Sequence, residues 1–361
     1  MSDVVFILGA GASKACGIPL MSEFLQVSYD LLKDNRVQDV SSEFEAVFDG
    51  IWSLESVYSR SSLDLDNIES VFNAFEVARM LDAIPGYSGH DVDKLIMSLK
   101  CLISRTIEKT LKMPMVSESG FVDPHHELAK VISEIQDRHR TTAVITFNYD
   151  PLVEHALSNL GLVPEYFLEP HKPPEDPLDL DETPVRDPLH VPVLKLHGSL
   201  TWGQCRGCGK IVPSTSWTIH NGTFTPPPWF QHKCGGMVEI PYIVPPTIYK
   251  TQYYAVLSSV WAQAAKVLSE AESVCIIGYS LPAIDTFFPY LFALSTIQIR
   301  MLRRIMFINP DEAAAERFKR LLGPRSERKF VRYGYPFEYK DTFSNIRYLL
   351  LPKEETKDLR L

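Results

Sequence analysis

At 361 residues, with 45% hydrophobic and 22% charged side chains, the chain has the composition of a folded protein with a sizeable core, which excludes a disordered tail or a string of small modules. Lys plus Arg number 36 against 45 Asp plus Glu, and the net charge of −9 argues against nonspecific binding to nucleic acid or to an anionic membrane. A small-molecule substrate or a protein partner fits that balance better.

In chain order, the first element is Val4-Val5-Phe6-Ile7-Leu8, an apolar run closed by Gly9. It predicts a strand buried on both faces, as in a parallel sheet. The run is far too short for a secretory signal or a membrane span, so a cytoplasmic location is expected. Residues 30–140 then carry period-3.6 patterns. Asp66 and Glu69 read as a capping-box pair, followed by Ile68, Val71, Phe72 and Phe75 on one face. A second pattern sets Val92, Leu95, Ile96, Leu99, Leu102 and Ile103 on one face. This region is expected to be a helical insertion packed beside the sheet.

Strand-like runs return at Thr142 to Phe147, Val191 to Leu196, Ser273 to Ile277 and Arg304 to Ile308. With helical patterns between several of them, the five runs predict an α/β fold: a Rossmann-like, mostly parallel sheet covered by helices. Ligands of such sheets sit beyond the carboxyl ends of the strands. Between these runs, residues 164–192 hold eight prolines and many acids, a composition that resists helix and central strand and predicts a surface loop. Residues 201–246 hold three clustered cysteines and seven prolines and read as a small metal-stapled lobe. The six cysteines follow no disulfide pattern, which fits a reducing compartment.

Chemistry-bearing residues gather at the ends of these runs. Gly9-Ala10-Gly11-Ala12-Ser13 follows the first strand directly, where backbone N–H groups can approach a diphosphate because no Cβ obstructs them. The third glycine of the dinucleotide fingerprint is replaced by Lys14, which disfavours an ordinary dehydrogenase. The second strand ends in Phe147-Asn148-Tyr149-Asp150 and the third in Leu196-His197-Gly198-Ser199. Taken singly, Asn148 could cap the next helix and His197 could be a hydrogen-bonded loop residue.

Taken as an ordered set, these segments resemble the sirtuin family: its Gly-Ala-Gly-x-Ser loop, its Gln-Asn-x-Asp segment and its His-Gly segment. Gly278-Tyr279-Ser280 resembles the family's Gly-x-Ser loop, and Ile308-Asn309-Pro310 its adenosine-side Ile-Asn segment. The resemblance implies NAD as substrate, bound by Gly9, Ala10, Gly11, Ala12, Ser13, Gly278, Ser280 and Asn309. It also implies that Asn148 orients the nicotinamide ribose and the attacking nucleophile, Asp150 contacts the nicotinamide amide, and His197 is the base. Cleavage of the ribose–nicotinamide bond develops oxocarbenium character while a neutral ring leaves, so polar groups that fix the ribose suit it.

The chain departs from sirtuin deacylases in Leu20-Met21-Ser22, where they have Asp-Phe-Arg, in Phe147, where they have Gln, and in Ile243-Val244-Pro245-Pro246-Thr247, where they have a peptide-binding segment. With Asp66-Asn67-Ile68-Glu69 in a helical insertion, the look is closer to bacterial sirtuin-like proteins of antiphage defence. That resemblance implies an NAD glycohydrolase. An NAD-dependent protein deacylase and a non-catalytic module sensing NAD or ADP-ribose are the alternatives. It further implies a homo-oligomer and an ATPase or phage-derived protein as partner. The expected division is residues 1–29, 141–200 and 247–361 for the NAD-binding domain, 30–140 for the insertion and 201–246 for the metal lobe.

In that lobe Cys205-x-x-Cys208 has knuckle spacing. His232-x-Cys234-Gly-Gly resembles the second half of the sirtuin zinc ribbon, with Gln231 where its first cysteine would stand. Cys205, Cys208, His232 and Cys234 are therefore the expected ligands of a structural zinc.

Overall fold

The computed structural model describes residues 3–55, 63–81, 84, 86–112, 123–169, 189–214, 218–220, 223–225, 229–247, 251–295 and 302–351. Strands β1 (Val4–Leu8), β2 (Thr142–Thr146), β3 (Val163–Glu165) and β4 (His190–Lys195) precede the small lobe. The lobe and its flanks carry β5 (Gly198–Ser199), β6 (Trp202–Cys205), β7 (Ile211–Pro213), β8 (Thr218–His220), β9 (Thr223–Thr225), β10 (Trp229–Gln231), β11 (Met237–Glu239) and β12 (Tyr242–Ile243). Strands β13 (Ser273–Ile277), β14 (Arg304–Ile308) and β15 (Phe330–Tyr333) complete the set.

Helices α1 (Phe24–Lys33), α2 (Ser41–Glu55), α3 (Ile68–Leu81), α4 (Gly89–Thr110) and α5 (Pro124–Gln136) lie between β1 and β2, and α6 (Leu152–Ser158) follows β2. Helices α7 (Thr251–Val256), α8 (Ser258–Glu270), α9 (Phe287–Ser295), α10 (Glu312–Leu321), α11 (Pro324–Glu327) and α12 (Thr342–Leu350) follow the lobe.

The main sheet has seven strands in the order β15-β14-β13-β1-β2-β4-β3. Every neighbouring pair runs parallel. Alternation along each strand divides the core. Val5, Ile7, Ile145, Ile276 and Phe307 face a layer that includes α8, α9 and α10, whereas Phe6, Val144, Cys275 and Met306 face α5, α6 and α12. With both faces covered, the five inner strands are largely apolar, which is why those runs are legible. Each fully buried Val, Ile or Phe contributes about 1.5–3 kcal/mol.

Helices α1 to α4 build a separate apolar cluster around Phe44, Phe72, Phe75 and Leu99, and Tyr149, Leu152, Leu200 and Ile243 from the sheet side join it. The head of α3 differs by one residue from expectation: Asn67 Oδ1, not Asp66, accepts the Glu69 backbone N–H at 2.9 Å. Of the proline-rich stretch, residues 170–188 lie outside the described residues, as do the three consecutive prolines 226–228 of the small lobe. Among the described residues, no helix is long and apolar enough to cross a membrane.

Candidate functional site

Strand β1 is central, and its successors β2 and β13 lie on opposite sides of it, so the chain reverses direction across the sheet there. The crevice beyond that point is where an open parallel sheet binds ligands. It holds a cavity of about 620 Å³, within the range of small-molecule sites. Ala10, Gly11, Ser13, Asn148, Asp150, His197, Gly278, Ser280 and Asn309 line it. Gly9 and Ala12 are buried behind this wall and do not face the cavity.

The glycine loop does not enter an α-helix directly. It passes through two short 3₁₀ turns, Ala10–Ala12 and Lys14–Cys16, and α1 begins only at Phe24. Its glycines serve close approach between loops. Gly11 N–H donates to Gly278 O at 2.9 Å, and a Cβ on Gly9 would lie 2.4 Å from Tyr279 Cα. Gly278 has φ +62, and a Cβ there would lie 2.3 Å from the Ala12 nitrogen.

Asn148 Nδ2 donates to Gly9 O and to Ser13 Oγ, both at 2.9 Å. Ser13 Oγ in turn donates to Asp150 Oδ2 at 2.8 Å. Asn148 therefore does not cap α6; Asp150 Oδ1, just ahead of the N-cap Pro151, accepts the first helical amide, Leu152 N–H, at 3.1 Å. Beneath this trio, buried Lys195 donates to Asp150 O at 2.6 Å and pairs with Glu154 at 2.9 Å. Burial pushes the Glu154 carboxyl up, and the Lys195 ammonium opposes that shift. The pair ties β4 to α6, which fixes the loop carrying Asn148.

His197 sits beside the same cavity, with its ring edge-on to Phe147 at 5.1 Å between centroids. Its Nε2 lies 3.3 Å from Asp285 Oδ1, and Tyr279 donates to Asp285 Oδ2 at 2.9 Å. Asn309 Nδ2 reaches Tyr279 O at 3.4 Å, and Arg317 Nε donates to Ser280 O at 2.8 Å, which knits the β13 and β14 loops together. Asp285, Tyr279, Asn67, Glu69 and Arg317 also line the cavity, and the sequence placed none of them among the expected site residues. Asp285 follows the Gly-Tyr-Ser loop closely, but a single acid in Leu281-Pro282-Ala283-Ile284-Asp285 has no motif spacing that would mark it.

Cys16, behind the loop, packs as a buried residue, its Sγ 3.9 Å from His125 Nδ1. Burial pushes its thiol up, which fits packing better than redox sensing.

The expected metal donors converge from two turns of a small antiparallel sheet ordered β10-β11-β6-β7. Cys205 Sγ and Cys234 Sγ are 3.5 Å apart, and His232 Nδ1 lies 3.4 Å from Cys208 Sγ and 3.2 Å from Cys234 Sγ. All four donor atoms fall within 4.8 Å of one another, so His232 completes the set. Gln231 turns aside to Gly235 O.

No protein-family model matches the chain, and no curated protein matches it. Among solved structures, a Sir2 homologue in complex with NAD aligns over 96% of this chain and 90% of that one, at 16% identity and a TM-score of 0.44. A variant Sir2 homologue with ADP-ribose aligns over 97% and 94%, at 16% identity and a TM-score of 0.40. A Sir2 protein bound to a propionylated peptide aligns over 96% and 92%, at 14% identity and a TM-score of 0.38. Similarity at that level assigns no activity.

Proposed function

We propose that the chain is an NAD glycohydrolase, releasing nicotinamide and ADP-ribose from NAD in the cytoplasm. One observation carries the choice of hydrolysis: residues 243–247, where the resemblance would place a peptide-binding segment, are tied to the chain's own β5 and α3. An extended peptide binds by adding a strand to an exposed sheet edge. Here Tyr242 and Ile243 pair with Ser199 and Gly198. Val244 N–H donates to His197 O at 2.7 Å, and the Tyr149 hydroxyl donates to Val244 O at 2.6 Å. Thr247 is held by Glu76 and Asn73 of α3. With that edge filled, water is the acceptor that fits.

In this reading the glycine loop faces the diphosphate, and Gly278, Ser280 and Asn309 face the adenosine half. Asp150 holds the carboxamide and Asn148 the ribose. The ribose–nicotinamide bond breaks, nicotinamide leaves as a neutral ring with the bonding electrons, and water adds to the ribose carbon. The water's proton passes to His197 and then to solvent, so NAD⁺ and water yield nicotinamide, ADP-ribose and a proton.

Purified protein incubated with NAD⁺ alone should release nicotinamide and ADP-ribose in equal amounts, measured by chromatography. His197→Ala should slow the release by about 10²–10⁴-fold. O-acyl-ADP-ribose formed only with an acyl-lysine peptide would identify a deacylase instead. NAD binding in calorimetry without turnover would identify a sensing module. NAD depletion in antiphage defence is the role the sequence resemblance implies, gated by homo-oligomer assembly or by an ATPase or phage-derived partner.

For the small lobe we propose one structural zinc held by Cys205, Cys208, His232 and Cys234, because thiolate-rich four-coordinate sites are closed. Cys208→Ser should lower the zinc content from about one per chain and lower the melting temperature. Metal-free wild-type protein that melts unchanged on zinc addition would reject the site.

A further inference from the structure

We propose that Asp285 is the positioning residue for His197: it holds the imidazole with its proton on Nε2 and presents Nδ1 as the nitrogen that accepts a proton. The activity consequence rests on the glycohydrolase reading, whereas the state of the ring does not.

Asp285 is 5% exposed and His197 is 7% exposed. A buried carboxylate is costly unless its oxygens are hydrogen-bonded or paired. Both oxygens of Asp285 have such neighbours, His197 Nε2 at 3.3 Å and the Tyr279 hydroxyl at 2.9 Å. The acid is also fixed through its backbone, since its N–H donates to Pro282 O at 3.0 Å and its carbonyl accepts from Phe288 N–H at 3.2 Å at the entry to α9. The Tyr279 ring is locked by stacking on Phe147 at 4.1 Å and 5°, and Phe147 also meets the edge of His197. Tyr279 remains a donor throughout the ordinary pH range, because burial and the Asp285 charge push its hydroxyl well up. Two segments distant in sequence, 279–285 and the turn at 197, thus form a chain from Tyr279 through Asp285 to His197.

Among the described residues, Tyr149, Tyr253, Tyr254 and Glu69 are the other titratable groups tied to this chain. Tyr149 lies 6.4 Å from the His197 ring between centroids. Tyr149 and Tyr254 are both pushed up by burial and by the Asp285 charge, and Tyr149 also by Glu69 and Tyr253. Both of these hydroxyls stay protonated, and the Asp285 carboxylate faces the ring at 3.3 Å. A carboxylate against Nε2 selects the tautomer with its proton there. When Nδ1 takes a proton from the attacking water, the imidazolium formed is stabilised by the same carboxylate, and no proton moves to Asp285.

The test is a ¹H–¹⁵N spectrum of the full chain with labelled histidine, assigned with His197→Gln, recorded across pH. Wild-type His197 should carry its neutral-state proton on Nε2. Asp285→Asn should lower the ring's pKa by about one unit. In the same variant, NAD turnover should fall about 10²–10⁴-fold with KM within threefold, and Tyr279→Phe should move both readouts the same way by less. A proton on Nδ1 in the wild-type spectrum overturns the proposal, even if Asp285→Asn does not fold. So does unchanged His197 titration in a folded Asp285→Asn variant. If the wild type fails to cleave NAD, the glycohydrolase reading falls while the spectrum still decides the role of Asp285.

Discussion

Asn148→Ala should leave a folded protein that cleaves NAD about 10²–10³-fold more slowly, an effect of the size seen when one preorganised polar group is removed from a reacting centre. Asn148 is half-buried at the end of β2, and its amide nitrogen bridges Gly9 O and Ser13 Oγ. The cost to the fold is two hydrogen bonds at about 0.5–1.5 kcal/mol each. Ser13 keeps its bond to Asp150, so the wall of the cavity stays in place. The loss should therefore appear in kcat with only a small change in melting temperature. Nicotinamide release and thermal denaturation measured on one preparation separate the two effects. Turnover near the wild-type rate would remove Asn148 from the mechanism.

Gly278→Ala should be more damaging to the fold than Asn148→Ala, costing about 2–4 kcal/mol, and should abolish NAD binding. The new methyl group would meet the Ala12 nitrogen at 2.3 Å and the Gly11 carbonyl carbon at 2.5 Å. Both are backbone atoms, so the two loops must separate, losing the Gly11 N–H bond to Gly278 O. The left-handed φ of +62 adds strain that alanine resists. Gly161→Ala is the control: its φ is +75, but nothing lies within 4 Å of the added Cβ. That variant should lose about 1 kcal/mol and bind NAD normally. Equal melting temperatures for the two variants would show that the loop contact is less tight than the geometry implies.

Five strands of the sheet were readable because each is apolar on both faces, a pattern that needs no partner to be recognised. The edge strands were not. Val163-Pro164-Glu165 is three residues long and contains a proline, and Phe330–Tyr333 mixes Phe, Val, Arg and Tyr at partial exposure. Edge strands bury little and leave little trace in hydropathy. The convergence of Ser13, Asn148, Asp150 and His197 on one cavity was legible because parallel strands deliver their ends to a common crevice. Asp285 and Glu69 lay beyond reach because their relation to that crevice is set by packing between segments far apart in the chain. In the metal lobe, knuckle spacing and the His232-x-Cys234-Gly-Gly segment together pointed to Cys205, Cys208, His232 and Cys234, and their donor atoms lie within 4.8 Å of one another.

The grip of α3 on Thr247 bears on how this chain could be recombined. Glu76 and Asn73 hold Thr247 from the middle of the helix, while Asn67 and Glu69 at its N-terminal end wall the cavity. Ile243 packs into the same apolar cluster as Phe72 and Phe75. Residues 67–76 and 243–247 are therefore one mosaic unit split between distant stretches of chain, and their substitutions should be non-additive. A chimaera that swaps the helical region for a relative's without also swapping 243–247 would join mismatched halves of a single joint, whereas exchanging both together preserves it.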